Sequence, residues 1–233
     1  MPRVILALFR HGSYEQPEGV PSAHSPHPLD PSGEVQARDG ALALLETASS
    51  QGWEIDVIVD SSRLLRAWQT AKIVAQTLGQ RTERRFEVAE FDALAERGLG
   101  CAANLTTSQI AEVLRRDPRS DPLPDTWQRD SSYRLPLQGA ESLTQAGERV
   151  AWHLEARARH VAERARVDTL KVLVGHGGSF RHAALYLGVL RADEVSRLSM
   201  AHCTPVYLER LDKGRWAHVA GSWKERSTVS TSD

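Results

Sequence analysis

Four short stretches carry the side chains that could do chemistry together. Arg10-His11-Gly12 ends one apolar run, and Ser61, Ser62 and Arg66 follow a second. His176-Gly177-Gly178 follows a third, and Glu141 stands at the start of a long helical pattern. Taken singly, Arg10 and His11 read equally well as the first solvated residues after a strand. Two histidines and two arginines behind three such runs ask for a shared explanation. Two guanidiniums aimed at one point form a fork-shaped receptor for a phosphate dianion, because each donates parallel hydrogen bonds. The glycine turn at 177–178 adds backbone N–H groups at a helix start, where anions also sit well. An imidazole among these donors can attack phosphorus and hold the phosphoryl group covalently, dividing one hard displacement into two easier ones. It must be neutral to attack, and neighbouring cations favour that form. A proton donor for the leaving alkoxide completes the requirement.

The elements that would position these groups are legible as alternation. VILALF (4–9), IDVIVD (55–60) and LKVLVG (170–175) are short apolar runs of the kind that form strands covered on both faces. Helical patterns follow over about 32–49, 63–78 and 179–190, and a longer one spans about 141–165. Such alternation predicts an α/β fold with a largely parallel sheet, whose ligands bind beyond the carboxyl ends of the strands. The reading is of one domain over 1–224, with a loop-rich insertion at about 90–138 punctuated by Pro118, Pro122, Pro124 and Pro136. A short helix capped by Thr106 or Thr107 lies near its start. Insertions of this length and composition read as a cap over a site. TPVYLERL and RWAHVAGS flank Asp212-Lys213-Gly214 as a hairpin at the sheet edge, an edge open to a second copy and so to a homodimer. Residues 225–233 read as a flexible polar tail.

Bulk properties narrow the classes. The chain has 233 residues, 41% hydrophobic and 25% charged, as soluble globular proteins do. A net charge of −1 argues against nucleic acid or an anionic membrane as partner. Cys101 and Cys203 are too few for a disulfide framework or a zinc site, and read as small, mostly buried residues in a reducing compartment. The apolar start is too short for a leader and no run spans a bilayer, so the cytoplasm is the expected location. His24 and His27 have H-x-x-H spacing within a proline-broken loop, which is not read as a metal site.

The motifs LFRHG, SSRLLRAWQTA, GAESL and VGHGG, in this order and over about residues 4–187, resemble those of the histidine phosphatase superfamily. LDPSGEVQA at 29–37 and LAERGLG at 94–100 are similar to further segments of it. The resemblance implies a phosphoglycerate mutase-like fold, a three-layer α/β/α sandwich with a mostly parallel central sheet, and no metal or other cofactor. It implies His11 as nucleophile, Arg10 and Arg66 as phosphate ligands, His176 as a second phosphate-contacting imidazole and Glu141 as proton donor. Gly177 would add its backbone to the phosphate site. Glu141 sits awkwardly in that role, since a carboxylate at a helix start near arginines should have a low pKa. Glu15, Glu90 and Glu96 are rival donors. The mutase branch carries an acidic string with tryptophan and asparagine after RHG, where this chain reads SYEQPEGVPSAHSPHPLD. A phosphatase acting on a small phosphorylated metabolite is therefore expected, with a mutase-type phosphotransferase or a phosphoprotein phosphatase as alternatives. Ser13, Tyr14 and Arg134 are candidate pocket residues, with Arg129 and Arg181 as further cations near the site.

Overall fold

The computed structural model describes residues 2–226. In chain order its elements begin with β1 (Val4–Arg10), α1 (Pro31–Gln51), β2 (Glu54–Ile55), β3 (Ile58–Ser62) and α2 (Leu65–Thr82). Next come β4 (Glu87–Phe91), α3 (Thr107–Arg116), α4 (Leu143–Ala162), β5 (Thr169–Gly175) and α5 (Gly177–Tyr186). The chain closes with α6 (Ala192–Arg197), β6 (Leu198–Ser199), β7 (Val206–Arg210), β8 (Trp216–Ala220) and β9 (Lys224–Glu225).

β1 is apolar because both of its faces are covered. Ile5, Ala7 and Phe9 enter one core cluster, while Val4, Leu6 and Leu8 enter another, following the two-residue period of a strand. The first cluster is filled from α1 and α2 by residues such as Leu44, Val74 and Leu78. The second is filled from α4 and α5 by Val150, Leu154 and Phe180. The result is three layers, helices on each side of one sheet ordered β4-β3-β5-β1-β7-β8, with β2 beside β5. The pairs β1–β5, β3–β5 and β3–β4 are parallel, and β7 and β8 add an antiparallel edge. Burying each Leu or Phe side chain is worth about 1.5–3 kcal/mol, so packing on both faces fixes the strand register. β1 and β5 align from Val4↔Thr169 to Arg10↔Gly175. The next residues, His11 and His176, therefore leave the sheet side by side.

The helices start slightly differently from the sequence reading, and the caps give the reason. Asp30 accepts from the Gly33 N–H and Pro31 begins α1, so this helix starts earlier than 32. Ser142 caps α4 in a reciprocal box with Gln145, which leaves Glu141 outside the helix. α5 begins at Gly177 rather than 179 and stops near Gly188, whose φ is +73°. β4 was not anticipated. It is an edge strand of half-exposed residues without an apolar run, and it claims Glu90 and Phe91, so the insertion starts after them.

The insertion has its own small core of Leu99, Ile110, Leu114, Trp127 and Leu135, joined by Ala23 from the β1–α1 loop. α3 is capped by Thr106 with a returning bond from Gln109. Glu225 pairs with Leu198 and the Arg226 N–H donates to the Arg197 carbonyl. Ordered chain thus runs past the expected boundary at 225, because β6 offers it a partner; residues 227–233 of the expected tail lie outside the described residues. Cys203 is buried, but Cys101 is exposed in a short 3-10 turn, contrary to expectation. Among the described residues no helix is long and apolar enough to cross a membrane.

Candidate active site

His11 follows β1 and is 1% exposed. Its backbone N–H donates to the Gly175 carbonyl at 3.0 Å, which ties it to the end of β5. Gly12 permits the close approach of α1: a Cβ there would stand 2.5 Å from the Gly33 carbonyl oxygen. His11 Nδ1 lies 2.7 Å from the Gly12 carbonyl, a pure acceptor, so Nδ1 carries the proton. Nε2 accepts from Arg66 Nε at 3.1 Å. Its lone pair therefore faces a guanidinium. Burial, then the Arg66 and Arg10 charges, hold the His11 pKa well below the ordinary histidine range. The imidazole is neutral at pH 7.

Arg66 sits on α2 and is fully buried. Nη2 lies 3.2 Å from His176 Nδ1, so one guanidinium joins both imidazoles. It also donates to the Ser25 carbonyl at 2.9 Å and the Ala23 carbonyl at 2.8 Å. Among the described residues no carboxylate hydrogen-bonds to it. His176, also fully buried, donates through Nε2 to Ser62 Oγ at 3.0 Å. Its pKa is likewise pushed well down, first by burial and then by Arg66. The two rings lie 5.1 Å apart between centroids. Arg10 reaches from the end of β1 to the Met200 carbonyl at 3.0 Å.

Arg10 and His11 line a cavity together with Glu96, Gly177 and Gly178 among others; Arg66 and His176 stand buried beside His11, outside its wall. Glu96 is 7% exposed and accepts from the Gly178 N–H at 3.1 Å and the Arg97 N–H at 2.9 Å. Gly178 makes this possible, since a Cβ there would stand 2.8 Å from Glu96 Oε1.

The structure brings Arg10, His11, Arg66, His176 and Gly177 together, and it leaves Glu141 out. Glu141 accepts from Arg149 Nε at 2.9 Å and Nη2 at 2.8 Å, and from the Gly98 N–H at 3.1 Å. Burial works to raise its pKa, but the Arg149 hydrogen bonds and charge prevail and lower it. A carboxylate clamped this way is a poor acid, and it does not line the cavity. Ser13 does not line the cavity; its hydroxyl donates to Asp30 at 2.6 Å, bracing the start of α1. Tyr14 packs its ring edge-on against His11, 5.3 Å between centroids, and donates to Ser22 at 2.9 Å, so it supports the nucleophile from the side. Arg134 points to solvent, whereas Arg129 and Arg181 do line the cavity. His24 donates through Nε2 to the Glu96 carbonyl at 3.0 Å, and among the described residues no metal-holding cluster forms.

Three residues escaped the sequence reading. Ser62 was seen only as part of a strand end. His202 stacks 5.6 Å from His11. β7 pairs antiparallel with β1, so the loop before Val206 must lie beside the end of β1; that hairpin was the available signal for His202. Arg226, at the cavity wall, had none.

A model of the histidine phosphatase superfamily (branch 1) matches residues 6–223. The chain is 29% identical over 211 residues to 2,3-bisphosphoglycerate-dependent phosphoglycerate mutase of Parvibaculum lavamentivorans, covering 90% of this chain and 92% of that one. Its fold is similar to mycobacterial glucosyl-3-phosphoglycerate phosphatase, with TM-score 0.65, 22% identity and coverage of 96% and 98%. It is also similar to phosphoglycerate mutase from Bacillus anthracis, with TM-score 0.69, 14% identity and coverage of 94% and 92%.

Proposed function

Because this chain belongs to the histidine phosphatase superfamily, we propose that it is a phosphomonoesterase that hydrolyses a small phosphorylated metabolite through a phosphohistidine on His11. The observation that carries the reading is the Arg66 bridge: one buried guanidinium holds the lone pair of a neutral His11 and touches His176. The incoming phosphoryl oxygens replace the imidazoles as acceptors of Arg66 and gather donors from Arg10 and the start of α5 beside His176. His11 Nε2 attacks phosphorus in line as the bond to the leaving oxygen breaks. Glu96 gives that oxygen its proton. In the second half a water gives its proton to Glu96 and attacks the phosphorus, releasing phosphate and restoring neutral His11.

The mutase reading has its own support in the relative from P. lavamentivorans. Against it stands the loop after Arg10-His11-Gly12, which lacks the acidic string expected of that branch. A cytoplasmic setting is part of the proposal and fits two free cysteines. The test is stoichiometry with p-nitrophenyl phosphate, with and without added 3-phosphoglycerate. Equal release of nitrophenol and free phosphate is expected in both. Nitrophenol in excess of phosphate when the acceptor is present makes the enzyme a transferase, and no release of either overturns the phosphomonoesterase reading.

A further inference from the structure

One hydroxyl in the cavity wall has its hydrogen-bonding role fixed by the fold. Ser131 lies in the insertion and lines the cavity. Its backbone carbonyl accepts from the Thr144 N–H and from Thr144 Oγ1, both at 2.9 Å, which ties it to the start of α4. Its hydroxyl oxygen lies 2.9 Å from Nε2 of His182 on α5. His182 is 2% exposed. α4 passes directly against it, since a Cβ at Gly147 would collide with the His182 Cβ. Ser131 is therefore held from two helices at once.

The direction of the Ser131–His182 bond follows from the other ring nitrogen. Nδ1 stands 2.8 Å from the Gly178 carbonyl, which can only accept, so Nδ1 carries a proton. Both partners of the ring are uncharged. Burial, with the charges of Arg181, Arg97 and Arg226 behind it, outweighs the Gly178 bond and pushes the His182 pKa down to about 4. The ring is neutral at pH 7 and Nε2 is bare, so the Ser131 hydroxyl donates to it. A serine in a cavity ordinarily turns its hydroxyl to suit either a donor or an acceptor. This one does not have that freedom. Its proton is committed inside the protein, and only lone pairs face a ligand. A hydroxyl, an amide N–H or an ammonium would serve such an acceptor, and the guanidinium of Arg129 on the same wall disfavours the ammonium.

We propose that Ser131, with its proton held by His182, is a specificity-determining acceptor for an uncharged donor, a hydroxyl, on the organic part of the substrate. His182 does not touch the substrate; it is a positioning residue that sets the place and the polarity of Ser131. The proposal rests on the phosphomonoesterase reading for the position of the phosphate.

The test uses p-nitrophenyl phosphate as reporter and two series of competitors, ω-hydroxyalkyl phosphates with chains of two to six carbons and their methyl ethers. The ether keeps the oxygen and lacks the proton. At one chain length or more, the hydroxy compound should inhibit with a Ki about fivefold or more below that of its ether. Ser131→Ala should bring that ratio near one at every length. His182→Leu, which releases the serine proton, should do the same without enlarging the cavity at Ser131. His182→Gln, whose amide oxygen can take the place of Nε2, should restore the ratio. Ser132→Ala, an exposed neighbour, should keep it. The ratio within each variant is unaffected by a general loss of activity. A wild-type ratio near one at every length, no inhibition by either series, or a ratio that survives Ser131→Ala or His182→Leu overturns the proposal. If the reporter is not turned over, the phosphomonoesterase reading fails by itself. Calorimetric Kd ratios for the same pairs then test the acceptor, with the same fivefold and equal outcomes.

Discussion

Two groups of buried charge lie two residues apart on β3, and they are built on opposite rules. Asp60 is fully buried and meets Lys171 at 2.7 Å, Arg157 at 2.7 Å and His153 at 3.5 Å. Burial alone would raise the Asp60 pKa, yet His153 and the cations of Lys171 and Arg157 hold it down. Ser62, next on the same side of the strand, touches His176, and there no carboxylate among the described residues hydrogen-bonds to Arg66, on which Glu96 acts only through its charge. In the first group charge is closed by charge. In the second, Arg66 is held by carbonyls and imidazoles and keeps its charge for an anion. Burial of ionic groups is common to both. What separates a structural cluster from a binding site here is whether the counter-charge is supplied by the protein.

That contrast can be broken in several places, and the largest effect is expected at the nucleophile. His11→Asn should lower kcat/KM for p-nitrophenyl phosphate by about 10⁴-fold or more while leaving the unfolding midpoint close to wild type. Asp60→Ala should do the reverse. It strands Lys171 and Arg157 and should cost about 3–5 kcal/mol of stability in urea unfolding, with turnover per folded molecule little changed. A large kinetic loss in well-folded Asp60→Ala would erase the distinction. Glu96→Gln should lower kcat by about 10²-fold or more. Glu141→Gln should instead move kcat less than about threefold and lower stability by about 1–3 kcal/mol through the lost Arg149 pair.

The smallest effect is spread over pH. His11, His176 and His182 have pKa values pushed down mainly by burial, His182 to about 4. In this window the unfolded chain binds protons that the folded one does not, so each group's contribution is intact above the unfolded pKa of about 6.5. It is lost as pH falls from there toward the folded value, by up to about 1.4 kcal/mol per pH unit for each histidine. Urea midpoints between pH 7 and 5 should therefore fall, and His182→Gln should flatten the slope.

The sheet was legible because its central strands are apolar throughout, and three motifs at their ends carried Arg10, His11, Arg66 and His176. β4 was not, since an edge strand with half-exposed residues shows no run. Glu141 and Glu96 show where spacing stops being informative. Both sit in motifs, and only the fold reveals that Arg149 on α4 claims one while Gly178 at the start of α5 admits the other. Arg97, Arg129 and Arg226 line the cavity from loops or from beside a two-residue strand, and their placement depends on the insertion core and on β9 pairing with β6. Neither leaves a periodic trace.

The central claim is that phosphate held by Arg66 passes onto a neutral His11. It is tested most directly by mixing the enzyme with p-nitrophenyl phosphate, quenching in base within milliseconds and mapping the modified peptide by mass spectrometry. The account predicts one base-stable phosphoryl group on His11, at a level that decays at the rate of turnover and is absent from His11→Asn. Full turnover with no phosphoryl group on His11 at any time would contradict it.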